Sequence, residues 1–326
     1  MNSVDIENAV TILRKGGLVA FPTETVYGLG ADASNAAALE KIFLVKGRPI
    51  EHPLIVHIAS LELAAQWSVS ISPLAERLAQ AFWPGPLTLI LRRAPHVLDR
   101  VTGGQDTIGL RVPRHPLAQK LLHAFGGGIA APSANRFGHI SPTTAGAVIE
   151  ELGSVVDLVL EGGSCEVGLE STIVDMSTDM PVILRPGAIT PADIEAVLHC
   201  AVATSRQDAP RVSGMMQIHY APQTRAQLIS PHSLTLFLQR VPTEDLPIAC
   251  LARRHPVWQR DKLTWVIMPE RPKDYAHELY RVLRDVDKSG FKRIVIEAVP
   301  EDPAWDAIRD RLQRATGGRV LHVDLI

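Results

Sequence analysis

The 326-residue sequence has only three cysteines, Cys165, Cys200 and Cys250, and no two of them stand at Cys-x-x-Cys spacing. That scarcity excludes a zinc knuckle or a disulfide framework and fits a reducing compartment. No apolar run approaches the roughly twenty residues needed to cross a bilayer. Met1-Asn2-Ser3-Val4-Asp5 is not the basic start of a secretory signal. A cytoplasmic protein with no membrane association is therefore expected. A net charge of −2 supplies no broad basic field, and residues 1–200 carry 14 Lys and Arg against 20 Asp and Glu, a net of −6, leaving +4 for the remainder. An acidic first part argues against broad electrostatic capture of nucleic acid, while leaving open a small anion held by a few placed cations. A Walker A loop and a Gly-x-Ser-x-Gly elbow are also missing, which removes the main support for a P-loop NTPase or a serine hydrolase.

What is present is ordinary globular composition, 46% hydrophobic and 21% charged, in a chain long enough for two cores. Ile6, Val10 and Leu13 recur at helical spacing before the stop at Gly16-Gly17, and Leu18–Phe21 reads as a short buried strand. Further helices are predicted at Ala36–Val45, Pro73–Phe82, Pro116–Phe125 and Thr143–Leu152. Strands are predicted at Leu54–Ile58, Leu87–Leu91, Thr107–Val112, Ile129–Ala131, Leu158–Leu160, Thr172–Asp175 and Val182–Arg185. This alternation indicates a layered α/β domain. Thr190-Pro191-Ala192-Asp193 opens one more helix, to about Leu198, with a capping box. From Ala203 to Ile218 periodicity is lost, as in a linker. Strand, helix, strand, helix and strand then follow at Pro247–Ala252, Tyr275–Asp287, Arg293–Glu297, Trp305–Ala315 and Val320–Leu325. We therefore expect a first domain over 1–202, a linker and lid over 203–226, and a small α/β domain over 227–326.

Several segments carry candidate chemistry. Gly28-Leu29-Gly30-Ala31-Asp32-Ala33 has the Gly-x-Gly-x-x-Ala form, but a polar stretch separates it from the preceding strand, which speaks against a dinucleotide-binding turn. That stretch, Pro22-Thr23-Glu24-Thr25-Val26-Tyr27, is either a polar turn or a ligand edge. Lys46 and Arg48 flank a glycine at a helix end, as dipole-compensating surface charges or as a phosphate clamp. His57 lies in an apolar run, as a core histidine does. Arg111 lies within a strand and needs a partner, which either a substrate carboxylate or a buried acid supplies. Ala131-Pro132-Ser133-Ala134-Asn135 follows a strand, and Ser141 precedes a helix. Small residues and hydroxyls suit phosphate there, although Ser141 equally suits a plain N-cap. Ser171 and Arg185 add a hydroxyl and a cation at strand ends.

In order, Pro-Thr-Glu-Thr-x-Tyr-Gly-Leu, Lys-x-Arg-Pro, Pro-Leu-x-x-His, Gly-x-Arg-x-Pro, Pro-Ser-Ala-Asn, Ser-Thr and Arg-x-Gly closely resemble the YrdC-type threonylcarbamoyl-adenylate synthases. Trp83–Thr88 and His219-Tyr220-Ala221-Pro222 add to the likeness, which is to the long form with a C-terminal accessory domain. The resemblance implies a YrdC-like twisted mixed sheet with flanking helices around a large cavity, followed by a smaller Rossmann-like α/β domain. It implies ATP as substrate, Mg²⁺ carried by ATP, and L-threonine and bicarbonate as co-substrates. Thr25, His57, Arg111, the Ala131 backbone and Ser171 would hold threonine. Lys46, Arg48, Thr107, Ser133, Asn135, Ser141 and Arg185 would hold ATP, with Lys46 and Arg48 as the catalytic cations and Tyr220 closing over the nucleotide.

The product would pass to a tRNA threonylcarbamoyl transferase complex, with any direct tRNA contact weak. This chain departs from the family pattern at His52, where Asn is usual beside ATP, and at Arg309, where Asn is often found. It departs again in Val212-Ser213-Gly214-Met215, in place of Ser-Pro-Gly-Met, and in Gln217-Ile218, in place of Tyr-Arg. The rival readings are an RNA- or ribosome-binding module and carbamoyl transfer to another acceptor. The acidic first part weighs against the former. For the latter, the chain has neither the length nor the cysteines for the additional modules of related carbamoyltransferases.

Overall fold

The structure, a computed structural model, describes residues 3–216, 218–256 and 258–322. Gln217, and the 323–325 part of the strand expected at the C-terminal end, lie outside the described residues. By packing, the chain divides into two units, Met1–Phe137 with Ser141–Met215, and Gly138–Ile140 with Met216–Ile326. The segment expected as one linker is therefore shared between them, and its residues up to Met215 pack with the first unit.

In the first unit, α1 (Ser3–Arg14) leads through the left-handed Gly16 into β1 (Val19–Pro22). Next come β2 (Tyr27–Asp32) and α2 (Ala36–Lys46). The Asn35 side chain accepts from Ala38 N at the start of α2, and Gly47, with φ at 62°, ends it by donating back to Leu44 and Phe43. Such a left-handed cap suits glycine because no Cβ is crowded there. The chain continues through β3 (Ile55–His57), α3 (Pro73–Phe82), β4 (Leu87–Arg92), α4 (Asp99–Thr102) and β5 (Thr107–Arg111). It then forms α5 (Pro116–Phe125), β6 (Ile129–Ala130), α6 (Ala145–Leu152), β7 (Leu158–Val159), β8 (Thr172–Asp175), β9 (Val182–Arg185) and α7 (Pro191–Leu198). The Thr190/Asp193 capping box at the start of α7 is as expected.

These strands form a nine-stranded mixed sheet in the order β7-β1-β2-β6-β3-β5-β4-β8-β9. Side chains of β1 alternate between its faces. Ala20 enters a core with Leu39, Ile42 and Phe43 of α2, while Val19 and Phe21 enter another with Leu13 of α1 and Leu121 and Leu122 of α5. The Gly-x-Gly pattern is neither a dinucleotide turn nor a loop: it lies in β2, paired antiparallel with β1. A Cβ on Gly30 would come within 2.8 Å of both Phe21 and Ile129, so close packing explains that glycine.

The second unit contains β10 (Ala226–Ile229), α8 (Leu234–Arg240), β11 (Ile248–Ala252), β12 (Leu263–Ile267), α9 (Pro272–Lys288), β13 (Arg293–Glu297), α10 (Asp306–Ala315) and β14 (Val320–Leu321). Its five strands run parallel in the order β12-β11-β13-β10-β14. The elements β10, α8 and β12 had no counterpart in the sequence reading. Among the described residues no helix is long and apolar enough to cross a membrane.

Candidate active site

The polar candidates of the first unit lie at strand and helix ends and in the loops between them, and most are buried. In the turn after β1, the Thr23 hydroxyl donates to Val26 O at 2.7 Å and lies 2.8 Å from the Thr25 hydroxyl. Between these threonines, Glu24 is 2% exposed and its Oε1 accepts from Arg111 Nη2 at 2.6 Å, while Oε2 accepts from Arg114 N at 2.9 Å. Of the two partners open to Arg111, the structure supplies the buried acid. Burial pushes the Glu24 pKa up, but the charge and hydrogen bond of Arg111, with the backbone bonds, outweigh it and hold the carboxyl below its ordinary range.

His57 is the register partner of Arg111 across β3 and β5. Burial first, and the Arg111 charge second, depress the imidazole pKa to about 3, so the ring is neutral at physiological pH. Its edge-to-face contact with Phe21, at 5.9 Å, fits a core histidine, yet Nδ1 finds no hydrogen-bond partner among the described residues. Nearby, Ala131 N–H donates to Ile55 O at 3.0 Å, so that donor of the Ala131 backbone is already engaged.

A second group gathers around cations. Lys46 is 3% exposed, which rules out a solvated surface charge at the helix end. Its Nζ donates to Ser133 O and Asn135 O, both at 2.5 Å, and tethers the Pro132–Asn135 loop. Burial first, then the Arg48 charge, push the Lys46 pKa well below that of a free lysine, against a pull from Glu151. Arg48 donates to Pro53 O at 2.9 Å and to the Ser213 hydroxyl at 3.1 Å, and its guanidinium lies 5.7 Å from the Phe137 ring. His52 meets the same ring edge-on at 5.2 Å, and burial followed by the Arg48 charge lowers its pKa.

Arg185 donates through Nε and Nη2 to Ser171 O, and through Nη1 to Ser213 O at 3.1 Å. Ser171 Oγ also accepts from Arg185 Nη2 and lies 2.8 Å from the Thr88 hydroxyl. One polar network thus runs from Thr88 through Ser171, Arg185 and Ser213 to Arg48. Thr107 and Ser213 line a cavity of about 10 Å³ beside it, space for one water.

Two candidates differ from their expected settings. Ser141 is not a helix cap: Thr144 caps α6, and the Ser141 hydroxyl donates to Glu170 Oε1 at 2.6 Å. Tyr220 belongs to the second unit, where it stacks on Tyr280 at 5.8 Å beneath the Arg311 guanidinium. Glu24 as an internal ion partner, Glu170, Thr88 and Ser213 were assigned no role from sequence. Only the strand-borne charge of Arg111 pointed to one of them.

Residues 11–187 match the Sua5, YciO and YrdC family model, described as telomere recombination. Residues 189–317 match one described as the C-terminal domain of threonylcarbamoyl-AMP synthase. The chain is 36% identical to the threonylcarbamoyl-AMP synthase of Pyrococcus abyssi, covering 98% of this chain and 96% of that protein. It is 39% identical to the synthase of Bacillus subtilis, covering 98% and 95%. Among solved structures, P. abyssi Sua5 complexed with L-threonine is similar with a TM-score of 0.90 at 35% identity, covering 99% of this chain and 97% of that one.

Proposed function

The chain belongs to the threonylcarbamoyl-AMP synthases, and from that premise we propose how its residues make the adenylate. The reaction joins L-threonine, bicarbonate or CO2, and ATP, and releases pyrophosphate. It is the first step in threonylcarbamoyl modification of tRNA. Threonine's amine captures bicarbonate or CO2 as a carbamate, whose oxygen attacks the α-phosphorus while the α–β phosphoanhydride bond breaks. No protein nucleophile is required, so the chain contributes positioning and charge neutralisation.

We assign Thr25, His57, Arg111, the Ala131 carbonyl and Ser171 to threonine. Lys46, Arg48, His52, Thr107, Ser133, Asn135, Ser141 and Arg185 are assigned to ATP. The observation that carries this reading is the set of buried cations, Lys46 at 3%, Arg48 at 7% and Arg185 at 3% exposure, beside the small-residue loop at Ser133. In so poorly solvated a place, a triphosphate gains more from each cation than it would in water. Arg111, already oriented by Glu24, would take the threonine carboxylate, and a neutral His57 adds no second charge there. We assign Mg²⁺ to the phosphates of ATP, whose charge it would offset together with Lys46, Arg48 and Arg185.

In this reading the first unit is catalytic, the protein works in the cytoplasm, and the product passes to a separate tRNA-modifying transferase. Incubation with ATP, bicarbonate and each amino acid in turn, followed by mass spectrometry, tests the activity: threonine alone should yield the adenylate. Arg48→Ala should abolish pyrophosphate release, and full activity in that variant refutes the clamp.

A further inference from the structure

The second unit carries an arrangement that the synthase reaction leaves unused. β11 and β13 are parallel neighbours, with Leu251 paired to Ile296, so Glu297, the last residue of β13, and Arg253, the first residue after β11, lie at the same carboxyl edge. Parallel α/β sheets bind ligands at this edge. Glu297 is 3% exposed and already engaged: Oε1 lies 3.0 Å from Arg254 Nε, and Oε2 accepts from Arg253 N at 2.9 Å. The Arg253 guanidinium makes no ion pair or hydrogen bond among the described residues. It lies 5.2 Å from the Trp305 ring centre, with a buried Nε that has no partner among the described residues.

The same indole packs edge-to-face on Tyr275 at 5.5 Å. Tyr275 is 1% exposed, and its hydroxyl too has no partner among the described residues. It sits in the opening turns of the 17-residue α9, whose N-cap, Arg271, provides no side-chain cap. A helix N-terminus favours negative charge. Arg253, Arg254 and Glu297 together carry a net charge of +1.

We propose that this edge binds a small oxyanion, a phosphate or a carboxylate, which accepts from the Arg253 guanidinium and the Tyr275 hydroxyl. A phosphate or carboxylate offers an acceptor to each of these two orphaned donors, whose side chains both pack on Trp305, whereas a cation would meet Arg253 and find Glu297 already paired. Burial pushes the tyrosine pKa up, so the hydroxyl keeps its proton and remains a donor. None of the residues of this edge belongs to the ATP clamp assigned in the first unit.

The full chain labelled with 5-fluorotryptophan provides the test, with the Trp305 fluorine resonance identified from Trp305→Phe. Inorganic phosphate and acetate, titrated separately, distinguish the two anion classes. The Trp305 resonance should shift saturably with at least one of them, in wild type and equally in Arg48→Ala, and the shift should vanish in Arg253→Gln. Thermal melts supply a second readout. Without anion, Tyr275→Phe should melt above wild type, because an unpaired buried hydroxyl has been removed. With the binding anion the order should reverse. The proposal is overturned if neither anion shifts the resonance, if the shift survives in Arg253→Gln, or if Tyr275→Phe already melts below wild type in anion-free buffer.

Discussion

Acidifying the protein from about pH 6.5 to about pH 5 should destabilise it through His57, by an amount that follows from burial and one neighbouring charge. The ring is 3% exposed, it lies beside Arg111 across β3 and β5, and its pKa falls from 6.5 to about 3. In the unfolded chain the same group titrates near its ordinary value of about 6.5. Between those two values the unfolded state binds a proton that the native state refuses. Stability contributed by a neutral His57 is therefore complete above the upper value and declines as pH falls. One such group costs about 1.4 kcal/mol per pH unit, so the loss over this window is about 2 kcal/mol.

Glu24 acts lower on the scale. Its folded pKa lies below 4.5, so its contribution is present above that value and fades only as pH falls through the folded pKa. His52 is also depressed and adds its own slope, so the useful quantity is the difference between wild type and His57→Gln. Urea midpoints measured across the window give that difference directly. The variant should be less stable near neutrality, and the gap should close by about 2 kcal/mol toward the acidic end. Parallel curves would mean that His57 takes up its proton as readily folded as unfolded, and the account of the site's electrostatics would fail.

Glu24→Gln leaves Arg111 buried without its counter-charge and should cost about 3 kcal/mol in urea unfolding at neutral pH, and an unchanged midpoint refutes the pairing. Ser213→Ala removes the hydroxyl that Arg48 uses while leaving the carbonyl for Arg185. The KM for ATP should rise up to about tenfold with the KM for threonine little moved, Ser213→Thr should restore it, and equal changes in both constants would refute this role. Gly187→Ala would place a Cβ 2.3 Å from Thr172 N and 2.7 Å from Ser171 C. Backbone cannot yield there as a side-chain tip can, so both the melting temperature and threonine-dependent pyrophosphate release should fall, and a variant unchanged in both shows that Ser171 tolerates displacement.

How much could be read in advance divides along a physical line. Strands bounded by turn residues, such as Leu87–Leu91 and Thr172–Asp175, were visible as apolar runs, whereas Tyr27–Asp32 was not. Its glycines carry no hydrophobic pattern, and Gly30 is there because Phe21 and Ile129 press on the strand, a fact of packing rather than of local sequence. In the second unit, Leu263–Ile267 is an apolar run, Leu-Thr-Trp-Val-Ile, that the sequence reading passed over; among the described residues it forms a partly exposed edge strand. The residue types of the candidate site were legible for the same reason that their partners were not. An arginine in a strand announces a need, but Glu24 answers it from 87 positions away, and Ser213 reaches Arg48 across 165. Such pairs exist only once the strand order places β3 beside β5 and the chain returns past them. The alternatives for Arg111, a substrate carboxylate or an internal acid, are then not exclusive. Glu24 occupies Nη2, and Nε has no partner among the described residues. On our reading, the threonine carboxylate meets a guanidinium already oriented, so less ordering remains to be done when it binds.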